Sequence, residues 1–176
     1  MKAMTMHNTL KVLGAAAALT LAGMSNAVAA QGQPQVVTQF DDATIARLLL
    51  DVQASWQVEA GTNGRSIYRA SADGGIAFTV MPRACDERLT CRSLMVLTPF
   101  TRSDKRSLAQ LDAFISAFND QTPSGKAYRM QDGTVVLQSY LNAAGGISFA
   151  NARAQMLVYG QNLVKLREGL AAFAAG

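Results

Sequence analysis

Residues 85–100 read CDERLTCRSLMVLTPF. Two cysteines bracket a short charged loop, and the second opens directly into Leu94, Met95, Val96 and Leu97, an apolar run long enough for a buried central strand. The pattern predicts a hairpin corner pinned by its own cysteines, with Arg92–Phe100 as the strand it delivers. Cys85 and Cys91 could in principle form a redox pair, half a metal site or a structural disulfide. Redox catalysis favours two intervening residues at a helix start, whereas here five intervene in a loop that precedes a strand. A zinc site needs further ligands, which this chain is poorly equipped to supply. A structural disulfide is the expectation, and the loop residues Asp86, Glu87 and Arg88, with Arg92 beyond Cys91, are the candidate recognition surface it holds.

The N-terminus explains why those cysteines can be oxidised. Lys2 and Lys11 form a basic start, Val12–Leu21 is an apolar block too short to span a bilayer, and Ala27-Val28-Ala29 has cleavage spacing. Residues 1–29 are expected to be a signal peptide and the mature chain periplasmic, where disulfides persist. Leu21-Ala22-Gly23 is followed by Met24, so no thiol is placed to carry a lipid. No later run reaches the length of a membrane span, so neither a span nor a lipid anchor is expected.

Removing the leader takes away Lys2 and Lys11, two of the 16 Lys and Arg that face 12 Asp and Glu. The mature chain is then close to charge balance, without the concentrated basic face of a nucleic-acid binder. His7, the only histidine, leaves with the leader. Ser-His-Asp and Cys-His chemistry go with it, as do imidazole metal ligands. No Ser-x-x-Lys, phosphate loop or dinucleotide fingerprint occurs, and Asp41 with Asp42 reads better as a helix cap than as a catalytic pair. No cofactor, metal or enzymatic activity is expected.

At 176 residues, 49% hydrophobic and 16% charged, the chain suits one globular domain. Residues 30–39, Gln-rich with Pro34, read as a flexible lead-in to a single domain over 40–176. Ile45, Leu48 and Leu49 have helical spacing behind Asp41 and Asp42. Trp56, Val58 and Ala60 alternate as a half-buried strand, Asn63-Gly64 suggests a tight turn, and Ser66–Ala70 returns. Asp73-Gly74 marks another turn, and Ile76, Phe78 and Val80 the inward face of a strand that Pro82 should end. After residues 91–100, Ser103 is a candidate cap for a helix carrying Leu108, Leu111, Phe114, Ile115 and Phe118. Lys126–Met130 and Thr134–Leu141 form a hairpin across Asp132-Gly133. From Ser148, Phe149, Met156, Leu163, Leu166, Leu170 and Phe173 lie on one stripe of a long helix, softened at Gly160. The expected fold class is α+β, an antiparallel sheet packed against helices in the order α-β-β-β-β-α-β-β-α.

Several segments, in this order, carry a resemblance: Trp56-Gln57-Val58-Glu59, Cys91-Arg92-Ser93-Leu94 leading to Phe100, and the helix ending in Phe118-Asn119. Gly125-Lys126-Ala127-Tyr128, Asp132-Gly133 with Val135-Val136-Leu137, and Gly145-Gly146-Ile147 continue it. From about Leu48 to Phe173 the chain resembles the YbjN family, described as regulators of bacterial sensory transduction. The resemblance implies a fold like that of type III secretion chaperones and, by the same analogy, a homodimer. It departs from the family at Ser116-Ala117-Phe118 and in its leader, and it supplies no catalytic residue. The function expected is a non-enzymatic periplasmic binding or interaction module with a protein partner, regulatory or chaperone-like. The alternative is a small-molecule or anion sensor of the cell envelope using the arginines near Cys85–Phe100.

Overall fold

The structure, a computed structural model, describes residues 35–72, 75–101 and 106–175. The expected signal peptide, the expected turn at Asp73-Gly74 and the candidate cap Ser103 lie outside the described residues. Three helices and a six-stranded antiparallel sheet follow the expected order. Helix α1 (Asp42–Asp51) starts at Asp41, whose carboxylate accepts the Thr44 amide at 2.7 Å, and buries Ile45, Leu48 and Leu49. Strands β2 (Ser55–Ala60), β3 (Ser66–Ala72), β4 (Ile76–Cys85) and β5 (Cys91–Phe100) then pair in succession. Helix α2 (Leu108–Gln121), the hairpin of β6 (Lys126–Arg129) and β7 (Val135–Asn142), and helix α3 (Phe149–Ala175) complete the fold. The spatial order is β2-β3-β4-β5-β7-β6, so residues 91–100 do lie centrally, between β4 and β7.

One sheet face carries Tyr68, Phe78, Val80, Leu94, Val96, Leu137 and Leu141, all buried beneath the helices. Burying a side chain of this size stabilises by roughly 1.5–3 kcal/mol, and this layer is the core. Helix α3 contributes Phe149, Ala152, Met156, Leu163 and Leu166. It also brings the buried Tyr159, whose hydroxyl lies 2.8 Å from that of Thr98, so a polar tip inside the core is satisfied. Burial raises the Tyr159 phenol above its ordinary pKa. The opposite face, with Met81, Met95, Leu97, Val136 and Tyr140, has no described helix over it. Tyr140 is 53% exposed and its hydroxyl reaches the Met95 sulfur at 3.1 Å.

Several expectations are corrected. The lead-in is not wholly flexible: Val36-Val37 form β1, paired with β8 (Ile147-Ser148), and Val37 is buried. A two-residue ladder leaves no periodicity to read in a sequence. Trp56, Val58 and Ala60 do share the core-side face, but β2 is the edge strand, with β3 alone beside it, and Val58 is left 55% exposed. Asn63-Gly64 belongs to a 3-10 turn, Thr62–Gly64, closed by the Gly61 amide on the Arg65 carbonyl at 2.7 Å, rather than to a two-residue hairpin. Pro82 does not end β4. Pairing with β3 stops at Tyr68–Val80, so beyond it β4 has β5 alone beside it, and a residue without an amide is tolerated there. The α2 cap is Ser107, through a capping box with Gln110: the Gln110 amide donates to Ser107 Oγ and the Ser107 amide to Gln110 Oε1. Ser148 caps α3 as expected, its Oγ accepting from Asn151, and α3 runs unbroken through Gly160.

Candidate functional site

Cys85 and Cys91 face each other directly across β4 and β5 and form a disulfide. The five-residue loop between them is held from inside. Asp86 Oδ1 accepts the amides of Arg88 at 3.0 Å and Thr90 at 2.9 Å, its own amide donates to the Thr90 carbonyl, and Leu89 adopts a left-handed φ of 60°. Asp86 is therefore engaged by the loop backbone. Glu87, Arg88 and Arg92 are exposed, with no ion pair among the described residues. Arg83 donates to the Met81 sulfur at 3.5 Å. Arg83, Arg88 and Arg92 line neither of two concavities, a cavity beside the hairpin and a groove under α3, whereas Arg106 borders a further concavity between α3 and the end of β5, and Arg102 lies outside the described residues. From this stretch the structure instead brings Leu89 and Cys91 to the cavity.

That cavity, about 440 Å³, lies between the hairpin, the start of α1 and the β2–β3 turn. Phe40, whose amide donates to the Cys91 carbonyl at 2.7 Å, ties the first two of these together. Asp41 and Asp42 enter from the helix start. The Asp42 carboxylate accepts the Tyr68 hydroxyl, while burial and that neighbouring charge both push the Tyr68 phenol upward in pKa. The Thr44 hydrogen bonds keep the Asp41 carboxyl below the usual carboxylate range. Arg65 enters from the turn, with its Nε buried and without a hydrogen-bond partner. A buried donor left unpaired costs about 1–3 kcal/mol, more when charged. Arg65 went unnoticed in the sequence because nothing local marks it. Only the fold sets it opposite residues more than twenty positions earlier.

A second concavity of about 310 Å³ runs under α3, bounded by the end of α1 and by the β3 and β4 ends. Val52, Ile76, Phe78, Met156 and Leu163 make its walls apolar, and Gly160 stands at its rim with open space where a side chain would be. The sequence marked Gly160 only as a soft point of the helix. Among the described residues no group of His, Cys, Asp or Glu is gathered to hold a metal ion, and no helix is long and apolar enough to cross a membrane.

The fold is thus of the α+β class, a helix-backed antiparallel sheet that carries a charged cavity and an apolar groove among its described residues. The chain belongs to the YbjN family, described as "Putative bacterial sensory transduction regulator", whose profile matches residues 41–170. No curated protein matches the chain.

Proposed function

We propose that this protein is a non-enzymatic regulatory binding module of the periplasm that takes an apolar side chain of a protein partner into the groove beneath α3. The groove carries the reading. Its walls are almost wholly apolar, and a recess of this kind is suited to the buried aliphatic or aromatic anchor that dominates binding energy at protein interfaces. The regulator family supports a partner, since a regulator without catalytic equipment acts by contact. The leader pattern of residues 1–29 and the Cys85–Cys91 disulfide support an oxidising compartment. A chaperone-like role belongs to the same reading, the groove shielding an apolar segment of its client.

Site-specific photo-crosslinking in the periplasm tests this. A crosslinker at Gln161, on the groove lining, should trap one discrete protein. Gly160→Leu should abolish the product, because the new side chain occupies the recess while the helix is kept. A product formed from position 88 in the hairpin loop instead of 161, or a product unaffected by Gly160→Leu, refutes the groove. A product of two copies of this chain would assign the groove to self-association and overturn the reading of a separate partner.

A further inference from the structure

We infer that the cavity between the disulfide hairpin, the β2–β3 turn and the start of α1 binds a small zwitterion of the α-amino-acid type. Its acid group lies on Arg65, its ammonium on Asp41 and Asp42, and its apolar side chain against Leu89 and Pro82. The observation is a pair of opposite charges that line one cavity without meeting. Among the described residues Arg65 forms no ion pair, and its buried Nε has no acceptor. Asp41 accepts the Thr44 amide and Asp42 the Tyr68 hydroxyl, and neither carboxylate pairs with a cation among the described residues. A guanidinium matches a carboxylate through paired N–H donors, and an ammonium supplies three donors to carboxylate oxygens. A ligand bearing both groups completes both ends, whereas an anion alone would face two aspartates and a cation alone would face Arg65.

The remaining walls choose among zwitterions. Leu89, Pro82, Phe40 and Ala43 are apolar, and the volume of about 440 Å³ falls in the range of small-molecule sites and exceeds what a charged head group needs. Leu89 is held against this space by a hairpin that the disulfide and Asp86 make rigid, so the apolar wall is preformed. The cavity is separate from the groove under α3, and either can fail without the other.

Calorimetric titration of the mature, oxidised protein tests the inference with three probes of equal carbon skeleton: L-leucine, L-leucinamide, which lacks the carboxylate, and 4-methylpentanoate, which lacks the amine. L-Leucine should bind, and each analogue should bind at least about tenfold more weakly, the scale of a lost charged contact. Arg65→Gln should weaken leucine by about tenfold without weakening leucinamide, which has no carboxylate to lose and is relieved of the facing guanidinium. Asp41→Asn, which retains the helix cap, should weaken leucine without weakening 4-methylpentanoate, which is relieved of one facing carboxylate. Should Arg65→Gln fail to fold, Arg65→Lys keeps the charge without the planar fork and carries the same expectation. Absence of binding by leucine up to about 10 mM, or analogues as tight as leucine, overturns the inference.

Discussion

Two glycines on α3 should respond in opposite senses to the same substitution. Gly160 and Gly169 both sit inside Phe149–Ala175, and neither has a left-handed backbone. In a helix interior, glycine is less favourable than alanine by about 0.8–1.0 kcal/mol. At Gly160 an added Cβ meets nothing within 4 Å, so Gly160→Ala should realise that gain, raising the melting temperature by about 2–4 °C for a chain of this size. At Gly169 the Cβ would lie 2.9 Å from Phe114 Cζ and 3.2 Å from Cε2. The ring must yield, yet it packs on Phe173 with centroids 5.3 Å apart, and overpacking costs about 1–3 kcal/mol. Gly169→Ala should therefore be neutral to destabilising by about 2 kcal/mol. Urea unfolding of both variants checks the difference, which should be at least about 1 kcal/mol in favour of Gly160→Ala. Equal stabilisation would mean that α2 does not press Phe114 onto α3. A loss at Gly160 would mean that the groove rim is not open.

Intact protein should resist alkylation until reduced, and replacing both cysteines by serine should cost about 2 kcal/mol, the chain-entropy value for so short a loop, read from the urea midpoint. Ser107→Ala should lose about 1 kcal/mol and fray the first turn of α2, seen as faster amide exchange at Gln110. The carboxyl pKa of Asp41 is depressed in the folded protein, so its stabilisation is present above the unfolded value and is lost as pH falls through the folded one. The urea midpoint should decline below about pH 4, less steeply in Asp41→Asn.

Residues with a local signature were legible in the sequence. The Leu94–Leu97 run behind Cys91, the helical spacing of Ile45, Leu48 and Leu49, and the stripe from Phe149 to Phe173 each report burial through a period that the backbone imposes. The Ser107-x-x-Gln110 box was equally readable, but Ser103 offers the same side chain one turn earlier. Val58 shows the limit of such patterns: alternation gives its face, and only the neighbouring elements determine whether that face is covered. β1 and β8 are too short for any pattern, and Pro82 reads as a stop unless the extent of β3 is known.

By itself the sequence determined the α+β order, the central place of residues 91–100 and the cysteine pair across a turn, because these depend on contacts near in the chain or on repeating burial. The tertiary structure alone decided what those elements enclose. Arg65, Asp41, Asp42 and Leu89 share a cavity, and Val52, Ile76 and Gly160 share a groove, because strand pairing and helix packing bring together residues whose separation along the chain leaves no mark in the local sequence. The hairpin at Cys85–Cys91 thus stands as one wall of a site whose charged groups come from elsewhere.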